Sequence, residues 1–409
     1  MTANLLLAWR NLWRSRRRTW LTVGAMIVCN TLMVFMWSLQ LGTYDMMIET
    51  TLKSFTGHLQ VQKEGYLDEP RMRDSFDDVA ALTKSFRNSL GVASVAARAE
   101  SFGLASSEDR SVGIQIMGVE PEYEPLVSTL PGLVSDGRWL SDNNAEEIVI
   151  GAVLARNLKV TVGDELTFLG TGHDGSMAAA IVIVVGIVDS GLPDLDRMLA
   201  QIPLGYFQSV FSMQDQAHRI VFDVGRLEAV APAMLQVQGL IETRAELVAL
   251  DWDQIQPGLR QGIQADAASA WFMYGILILL VSFSVLNTQL MSVLERTREF
   301  GVMLALGIKP ARLSRLVLLE TSVMAILGLL IGVFFGGLIA AYFAQVGFSF
   351  PGMEEAMARY NLPGSMYPKL SASGLLLGPT IVCLGSLLAS LYPALRLLWL
   401  QPVQAMRAV

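Results

Sequence analysis

Long uncharged stretches of mostly apolar residues occur at four places in this sequence and divide the rest into segments. Asp, Glu, Lys and Arg are absent from residues 19–44, 267–294, 321–353 and 370–395. A helix needs about 20 mostly apolar residues to cross the hydrocarbon core of a bilayer, and each stretch is longer than that. The pattern therefore predicts four transmembrane helices, at 19–44, 267–294, 316–345 and 371–396.

Between the first two stretches the pattern changes to short alternating runs. His58–Gln62 (HLQVQ) alternates with a period of two, as a half-buried strand does. Residues 95–119 predict a hairpin that turns at Ser107–Arg110, and Ser75 is predicted to cap a helix that ends at Leu90. The predicted fold class is an integral membrane α-helical protein, with a large extracytoplasmic α+β domain of two lobes between helices 1 and 2.

Composition and charge set the expected orientation. The chain is 52% hydrophobic and 16% charged, which is typical of a membrane protein, and Lys and Arg near span ends stay in the cytoplasm. Most basic residues outside the large domain cluster at one set of span ends: Arg10, Arg14, Arg16, Arg17, Arg18, Arg296, Arg298, Lys309, Arg312, Arg315, Arg396 and Arg407. The loop between the third and fourth spans is neutral, because Glu354 and Glu355 offset Arg359 and Lys369. Residues 46–267 instead carry 16 Lys and Arg against 31 Asp and Glu. Both termini are therefore expected in the cytoplasm and the acidic domain outside, and nucleic acid is not an expected partner because it requires a basic face.

The N-terminal residues have helical spacing. Apolar positions fall on one face and polar positions on the other: Leu5, Leu6, Ala8, Trp9, Leu12 and Trp13 against Asn4, Arg10, Asn11 and Arg14. This predicts an amphipathic helix in the cytoplasmic interface, with Trp at the headgroups and Arg toward anionic membrane lipids. The alternative is a basic stretch that only directs topology.

These patterns divide the chain into nine segments. They are a cytoplasmic amphipathic helix (1–18), the first transmembrane helix (19–44), the periplasmic α+β domain (46–266), the second transmembrane helix (267–294), a cytoplasmic helix (295–312), the third transmembrane helix (316–345), a short periplasmic loop (346–370), the fourth transmembrane helix (371–396) and a cytoplasmic tail (397–409).

No catalytic, cofactor-binding or metal-ligating residue is predicted. Gly170–Gly175 matches the dinucleotide fingerprint G-x-G-x-x-G, but a strand pattern follows it where a helix is required, so a hairpin turn is the better interpretation. A P-loop is absent from the sequence, and its three histidines, His58, His173 and His218, lack metal-site spacing. If ATP and Mg²⁺ are used, a partner chain is expected to bind them.

Two features lie within the third span. Gly328, Gly332 and Gly336 recur every four residues and predict a helix-packing seam, since glycine lets backbones approach closely. Glu320 is an ionisable residue near the cytoplasmic end of this span. It is expected to reach lipid headgroups or to pair with Arg312 or Arg315, which is a structural role.

The segment ERTREFGVMLALGIKP (295–310) predicts a short one-sided helix. Phe300, Met303 and Leu304 form its apolar face, and Gly307 and Pro310 end it. Its first turn is crowded by charged side chains: Glu295, Arg296, Arg298 and Glu299. We expect this face to find no partner within its own chain and to dock in a groove of another protein. The alternative is a turn packed on the bilayer.

The same segment carries a family resemblance. Asn287, Val293, Glu295, Arg296, Arg298–Gly301 and Ala305–Gly307, with the closing run Tyr392–Arg396, Pro402 and Ala405–Arg407, resemble the signature of the FtsX/MacB superfamily of ABC-transporter permeases. AWRNLWRSRRRTWLT is similar to the family's first helix. GAVLARNLKVTVGD and VVGIVDSGLPDLD resemble its lipoprotein-releasing (LolC/LolE-like) branch, so 46–266 is expected to be a MacB-like core domain. Leu397 departs from the small residue usual in the family.

The resemblance implies a non-catalytic permease subunit in the bacterial inner membrane. Its helix at 295–312 would dock on a cytoplasmic ABC ATPase present in two copies, with Gly301 among the coupling residues. A second permease copy or a paralogue completes the transporter, and a periplasmic lipoprotein or chaperone is a candidate partner. The implied function is lipoprotein release or extrusion of a hydrophobic substrate. The alternative is an FtsX-like regulator that activates a periplasmic cell-wall hydrolase.

Overall fold

The structure is a computed structural model and describes residues 9–14, 16–108, 110–358 and 364–399. It divides into two compact units. The span unit contains the described parts of Met1–Asp45, Ile263–Phe350 and Ser365–Val409. The insert domain contains Met46–Gly262 and the described part of Pro351–Gly364.

Helices make up the span unit and strands dominate the insert domain. The helices are α1 (Arg16–Thr51), α2 (Val79–Leu90), α3 (Glu124–Val127), α4 (Ala152–Leu158), α5 (Pro193–Met198), α6 (Leu204–Val210), α7 (Val230–Ile241), α8 (Trp252–Ile255), α9 (Pro257–Glu295), α10 (Thr297–Ala305), α11 (Pro310–Val346), α12 (Met353–Ala358) and α13 (Ala372–Arg396). The strands are β1 (Leu59–Lys63), β2 (Val95–Ser107), β3 (Arg110–Val119), β4 (Val134–Gly137), β5 (Glu147–Gly151), β6 (Glu165–Thr171), β7 (Met177–Val188), β8 (Leu199–Pro203), β9 (Arg219–Phe222) and β10 (Leu247–Asp251).

Four helical stretches in the described residues are long and apolar enough to cross a membrane: Arg16–Thr56, Pro257–Glu295, Pro310–Val346 and Ala372–Trp399. Each contains one of the uncharged stretches of the sequence, and an α+β domain lies between the first and second. The predicted fold class is therefore confirmed. Leu5, Leu6 and Ala8 of the predicted N-terminal helix, and Pro402 and Arg407 of the tail, lie outside the described residues, whereas 9–14 are helical.

Helices α1 and α11 meet along the glycine stripe. A Cβ on Gly328 would lie 2.6 Å from that of Met26, one on Gly332 2.4 Å from that of Asn30, and one on Gly336 2.7 Å from that of Val34. The three glycines and the three residues opposite them both advance by four positions, in the same direction. The two helices therefore run parallel and are in contact along one face of each. Only glycine fits at these positions, because real Cβ atoms do not approach other heavy atoms so closely.

The insert domain is built on one ten-stranded sheet with the order β10-β1-β9-β2-β3-β8-β5-β7-β4. The second half of the long strand β2 also pairs with β6, and β6 pairs with β7. Strands β2, β3, β8, β5, β7 and β6 thus form a closed circuit of pairings. The main apolar core lies inside this circuit and extends under the open end of the sheet. The two lobes expected from the sequence are joined by this continuous sheet.

Helix α2 starts later than predicted. It begins at Val79 with Asp78 in the left-handed region, and Ser75 is not its N-cap. The amide of Phe76 instead donates to the carbonyl of Ala217, and the Phe76 ring is buried. This bridge keeps Ser75 and Phe76 extended. The predicted hairpin at 95–119 is confirmed as β2 and β3, and Gly170–Gly175 is confirmed as part of the β6–β7 hairpin turn.

A buried ion pair fixes the start of the insert domain. The π-helical turn Leu52–Thr56 continues from α1 and ends at Gly57, whose φ is +68°. Arg98 donates to the carbonyl of Phe55 and pairs with Glu124, with 2.6 Å between Nη2 and Oε1 and both side chains fully buried. Two charges buried together are stable only when their hydrogen bonds are satisfied. Because Arg98 of β2 makes both contacts, it holds Phe55 and α3 against that strand.

Candidate coupling site

Helix α10 lies in the link between the second and third spans. Its first turn follows directly from α9, and it ends where Gly307 takes φ +89°. The amide of Ile308 donates to the carbonyl of Met303, and Pro310 then starts α11. A glycine at the end and a proline just beyond it form a common helix stop, so the sequence fixes the length of this helix.

The apolar face of α10 is buried within its own chain. Phe300 is fully buried in a cluster with Val293 of α9, with residues of α11 and with the end of α13. The other members are Leu313, Val317, Ala394 and Leu397, with Met303, Leu304, Ile308 and Leu318 partly buried against them. The expectation that this face lacks a partner in its own chain is therefore wrong. Leu397, where the sequence departs from the family pattern, is one of the residues that bury it.

The opposite face of α10 is exposed. Arg298, Val302, Ala305 and Leu306 follow one another at helical spacing and face away from the cluster. Val302 is 47% exposed and Leu306 79% exposed. This exposed stripe, 298-302-305-306, is the surface of the link that remains open to another molecule. It includes Arg298 from the predicted coupling set and adds three apolar residues outside that set: Val302, Ala305 and Leu306.

Ion pairs join this link to the N-terminal segment, which consists of residues 9–14 and the first turn of α1 up to Arg18. Arg14 Nη2 lies 2.7 Å from Glu299 Oε1, and Arg18 Nη1 lies 2.6 Å from Glu295 Oε2. Because both the arginines and the glutamates are four residues apart, the two pairs lie side by side along the two segments. The sequence shows the matched four-residue spacing on both segments, but spacing within a segment does not identify the segment that it pairs with.

Glu320 pairs with Arg296 rather than with Arg312 or Arg315. Arg296 Nη1 lies 3.1 Å from Glu320 Oε1, and the side-chain amide of Asn11 donates to the same oxygen at 2.8 Å. The carboxylate is buried, so these two donors replace the water that it loses. Glu320 thus has the predicted structural role, but its partners come from the link and the N-terminal segment.

A polar cavity of about 260 Å³ lies beside these pairs. Its lining includes Asn11, Arg14, Arg18, Gln289, Glu295 and Glu320. Of the predicted coupling residues, Glu295, Arg296 and Glu299 therefore belong to the ion-pair network, and Phe300, Gly301, Met303 and Leu304 face the core. Arg298 alone lies on the exposed stripe.

The insert domain has a second distinctive surface on the outside of the closed circuit. Residues on β2, β6 and β7 lie in register there, with Leu104 opposite Leu169 and Thr167 opposite Ile181. Exposed large apolar side chains share this region: Phe102, Leu104, Leu169, Met177, Ile181 and Ile183. A contiguous exposed apolar face on an otherwise acidic domain is typical of an interaction surface.

Comparison with known families agrees with this architecture. Residues 19–240, more than half of the chain, match the MacB-like periplasmic core domain, and residues 271–402 match the C-terminal domain of FtsX-like permeases. The chain therefore belongs to the FtsX/MacB superfamily of ABC-transporter permeases. Members of this superfamily are membrane proteins that serve as permease subunits or permease domains.

Individual relatives include both branches named by the sequence resemblance. The lipoprotein-releasing system transmembrane protein LolE of Haemophilus influenzae is 24% identical over 72% of this chain and 72% of its own. LolC of Xylella fastidiosa is 25% identical over 77% of this chain and 78% of its own. The macrolide export ATP-binding/permease protein MacB of Pasteurella multocida is 23% identical over 59% of this chain, but over only 38% of its own length.

Proposed function

We propose that this chain is the permease subunit of an ABC transporter whose ATPase is a separate cytoplasmic protein. The observation that carries the proposal is the two-sided packing of α10. Its inner face is buried on the spans, whereas Arg298, Val302 and Leu306 are exposed at helical spacing. A partner that presses on the exposed stripe would therefore displace the ends of α9, α11 and α13 together, since Phe300 belongs to one buried cluster with residues of all three.

The N-terminal segment would move with the link. Arg14 and Arg18 bind Glu299 and Glu295, and Asn11 shares Glu320 with Arg296. Two ATPase copies that close on ATP and open after hydrolysis would thus act on α1 through these contacts. In this scheme the ATPase binds ATP and Mg²⁺, and this chain transmits movement.

The helices that carry the movement continue into the insert domain. Helix α1 runs unbroken to Thr51, and α9 begins at Pro257, so each extends beyond its uncharged stretch. The buried Arg98–Glu124 pair then holds the π-helical turn after α1 against β2. Displacement of α1 would therefore reach the first residues of the insert domain through a continuous helix.

The cargo we propose is hydrophobic, and a lipoprotein is its most specific form. The two relatives described above that are named for lipoprotein release match 72% and 77% of this chain. The exposed apolar face on β2, β6 and β7 supports contact with a lipid-modified or otherwise apolar molecule. We place this face in the periplasm, because most of the basic residues outside the insert domain flank the opposite ends of the spans.

Co-purification tests the docking surface. The double variant Val302→Glu/Leu306→Glu should lose an ATPase that co-purifies with the wild-type chain, because two carboxylates would be desolvated in the contact. Leu235→Glu, at a 72% exposed site on α7, is the matched control and should retain it. Retention of the ATPase by the double variant would exclude this stripe as its binding site.

Labelling tests the orientation independently. Val302→Cys should react with a membrane-impermeant maleimide only after cells are opened, whereas Leu235→Cys should react in cells whose outer membrane alone is permeable. The reverse pattern would place α10 outside and would exclude ATPase docking there. Cys29 and Cys383 lie within the candidate spans, so a chain without added cysteine provides the background.

A reconstituted complex tests the cargo. With ATP it should release an acylated lipoprotein from vesicles, and Leu104→Ser/Ile181→Ser should reduce that release while leaving ATPase binding intact. Leu235→Ser is the control. ATP-dependent stimulation of a peptidoglycan hydrolase, without lipoprotein release, would favour the FtsX-like activity instead.

A further inference from the structure

Three tryptophans form a row at the start of the first span. Trp9 and Trp13 pack edge-to-face with 5.7 Å between ring centroids, and Trp13 and Trp20 do so at 5.9 Å. All three are exposed, by 45%, 37% and 55% respectively. Indole rings favour the headgroup level of a bilayer, because their apolar body and polar N–H suit the two sides of that boundary.

An apolar recess of about 120 Å³ lies beneath this row. The tryptophans line one side, and Leu327 and Ile331 of α11 line the other. Leu12, Thr19 and Val23 complete the lining. Its mostly apolar lining and its position beside the first span suit a hydrocarbon chain.

A basic groove of about 510 Å³ adjoins the recess, and Trp13 lines both. Its other lining residues are Arg14, Arg16, Arg17, Arg18 and Glu295. Arg14 and Arg18 pair with the glutamates of the link, whereas Arg16 and Arg17 are exposed in the groove. The groove therefore has an excess of positive charge at the mouth of an apolar recess.

We propose that the groove and the recess together bind one anionic phospholipid. Its phosphate lies at Arg16 and Arg17, and one acyl chain lies in the recess under Trp9, Trp13 and Trp20. A soluble anion would bind the arginines but would leave the apolar recess filled with water. A neutral lipid would fill the recess but would not neutralise the arginines. An anionic phospholipid matches both surfaces in one molecule.

The position of this site gives the bound lipid a consequence. The site adjoins Arg14 and Arg18, which hold Glu299 and Glu295 of the link. An occupied site stabilises the N-terminal segment in the conformation that makes those ion pairs. The lipid would therefore strengthen the connection between the N-terminal segment and α10, whether or not α10 binds an ATPase.

Tryptophan quenching tests the site in the purified full-length chain. Phosphatidylglycerol brominated on its acyl chains should quench part of the fluorescence at lower lipid fraction than brominated phosphatidylcholine. That part should be smaller in Trp13→Phe and missing in Trp9→Phe/Trp13→Phe/Trp20→Phe, which identifies the signal among the 8 tryptophans of the chain.

Paired arginine variants test the headgroup contact. Arg16→Gln/Arg17→Gln should weaken the phosphatidylglycerol signal by about 30-fold, the equivalent of about 1 kcal/mol for each arginine. Arg312→Gln/Arg315→Gln removes the same charge from two other exposed arginines and should leave the signal unchanged. Equal weakening in both pairs would overturn the site in favour of general surface charge. Displacement of the brominated lipid by millimolar inorganic phosphate would identify a free-anion site and would also overturn it.

Discussion

Arg296 and Glu320 form a nearly buried ion pair that joins the start of α10 to the first half of α11. Their closest atoms, Nη1 and Oε1, lie 3.1 Å apart, and the two side chains are 17% and 6% exposed. The Arg296 guanidinium also lies 5.0 Å from the centre of the Phe300 ring. One cation thus connects the polar network of the link with its apolar cluster.

Loss of the Glu320 carboxylate should destabilise the span unit. Glu320→Gln leaves the poorly solvated Arg296 charge with only the more distant Glu299, whose Oε2 lies 3.6 Å from Arg296 Nε. The loss of the buried partner should lower the free energy of unfolding by about 3 kcal/mol. Thermal unfolding in detergent, followed by circular dichroism, measures the change. Arg298→Gln, which removes an exposed charge from the same helix, should change stability by less than about 0.5 kcal/mol. Equal effects of the two substitutions would show that the pair contributes little.

Phe300 should behave as a core residue. Phe300→Ala leaves a cavity among α9, α11 and α13, and is expected to cost about 3–5 kcal/mol. Val302→Ala, two residues along on the exposed stripe, should be nearly neutral. Both can be measured by the same thermal unfolding. A Phe300→Ala chain of wild-type stability that had lost its ATPase would instead support direct docking through this ring.

Gly332 should tolerate no side chain. A methyl group there would meet the Cβ of Asn30 at 2.4 Å and the carbonyl of Ile27 at 3.1 Å. Gly332→Ala is therefore expected to destabilise the chain by about 1–3 kcal/mol through overpacking. Gly275→Ala in α9, where nothing lies within 4 Å, is the control and should be neutral or slightly stabilising. If the two alanine variants have the same unfolding temperature, α1 and α11 lie farther apart than the distances at Gly332 indicate.

His218 should make the insert domain sensitive to acid. Its Nδ1 accepts from the amide of Glu100 at 2.9 Å, so its Nε2 carries the proton and donates to the carbonyl of Met72 at 3.1 Å. Burial lowers the pKa of His218 from 6.5 to about 4. Because the folded state binds this proton less readily than the unfolded state, the stabilisation is present above pH 6.5. It is lost as the pH falls toward 4, by about 3 kcal/mol in all.

Hydrogen exchange at the Glu100 amide measures this loss directly. Its protection should fall between pH 6.5 and 4 in the wild-type chain, after correction for intrinsic exchange rates. His218→Gln cannot gain a proton and should show a flatter profile. Burial raises the pKa of Glu120 and of Asp196, which shifts stability in the opposite direction, but both chains share those groups. Parallel profiles in the two chains would contradict the assignment.

The elements of this fold follow largely from local patterns. Uncharged stretches identify the spans because no ionisable group is stable in hydrocarbon without partners. Period-two alternation finds strands such as β1, and the Gly170–Gly175 run marks a hairpin because a strand follows it. The start of α2 was mispredicted because its capping signal competes with a distant bridge between Phe76 and Ala217.

The coupling site shows where local patterns stop being informative. Helical spacing identifies Phe300, Met303 and Leu304 as one apolar face but does not say what covers that face. Its covering residues include Val293, close in sequence, and Leu397, at the far end of the chain. Local spacing likewise predicts Arg312 or Arg315 as the partner of Glu320, whereas Arg296 reaches it from the preceding link.

The glycine stripe restricts how the first and third spans can move. Three residues of α11 sit against three residues of α1 with no room between the backbones. A piston-like slide of one helix along the other by a single residue would bring side chains into those three notches. The two helices can therefore tilt or rotate only as one rigid body, and any stroke that reaches the far end of α1 must carry α11 with it.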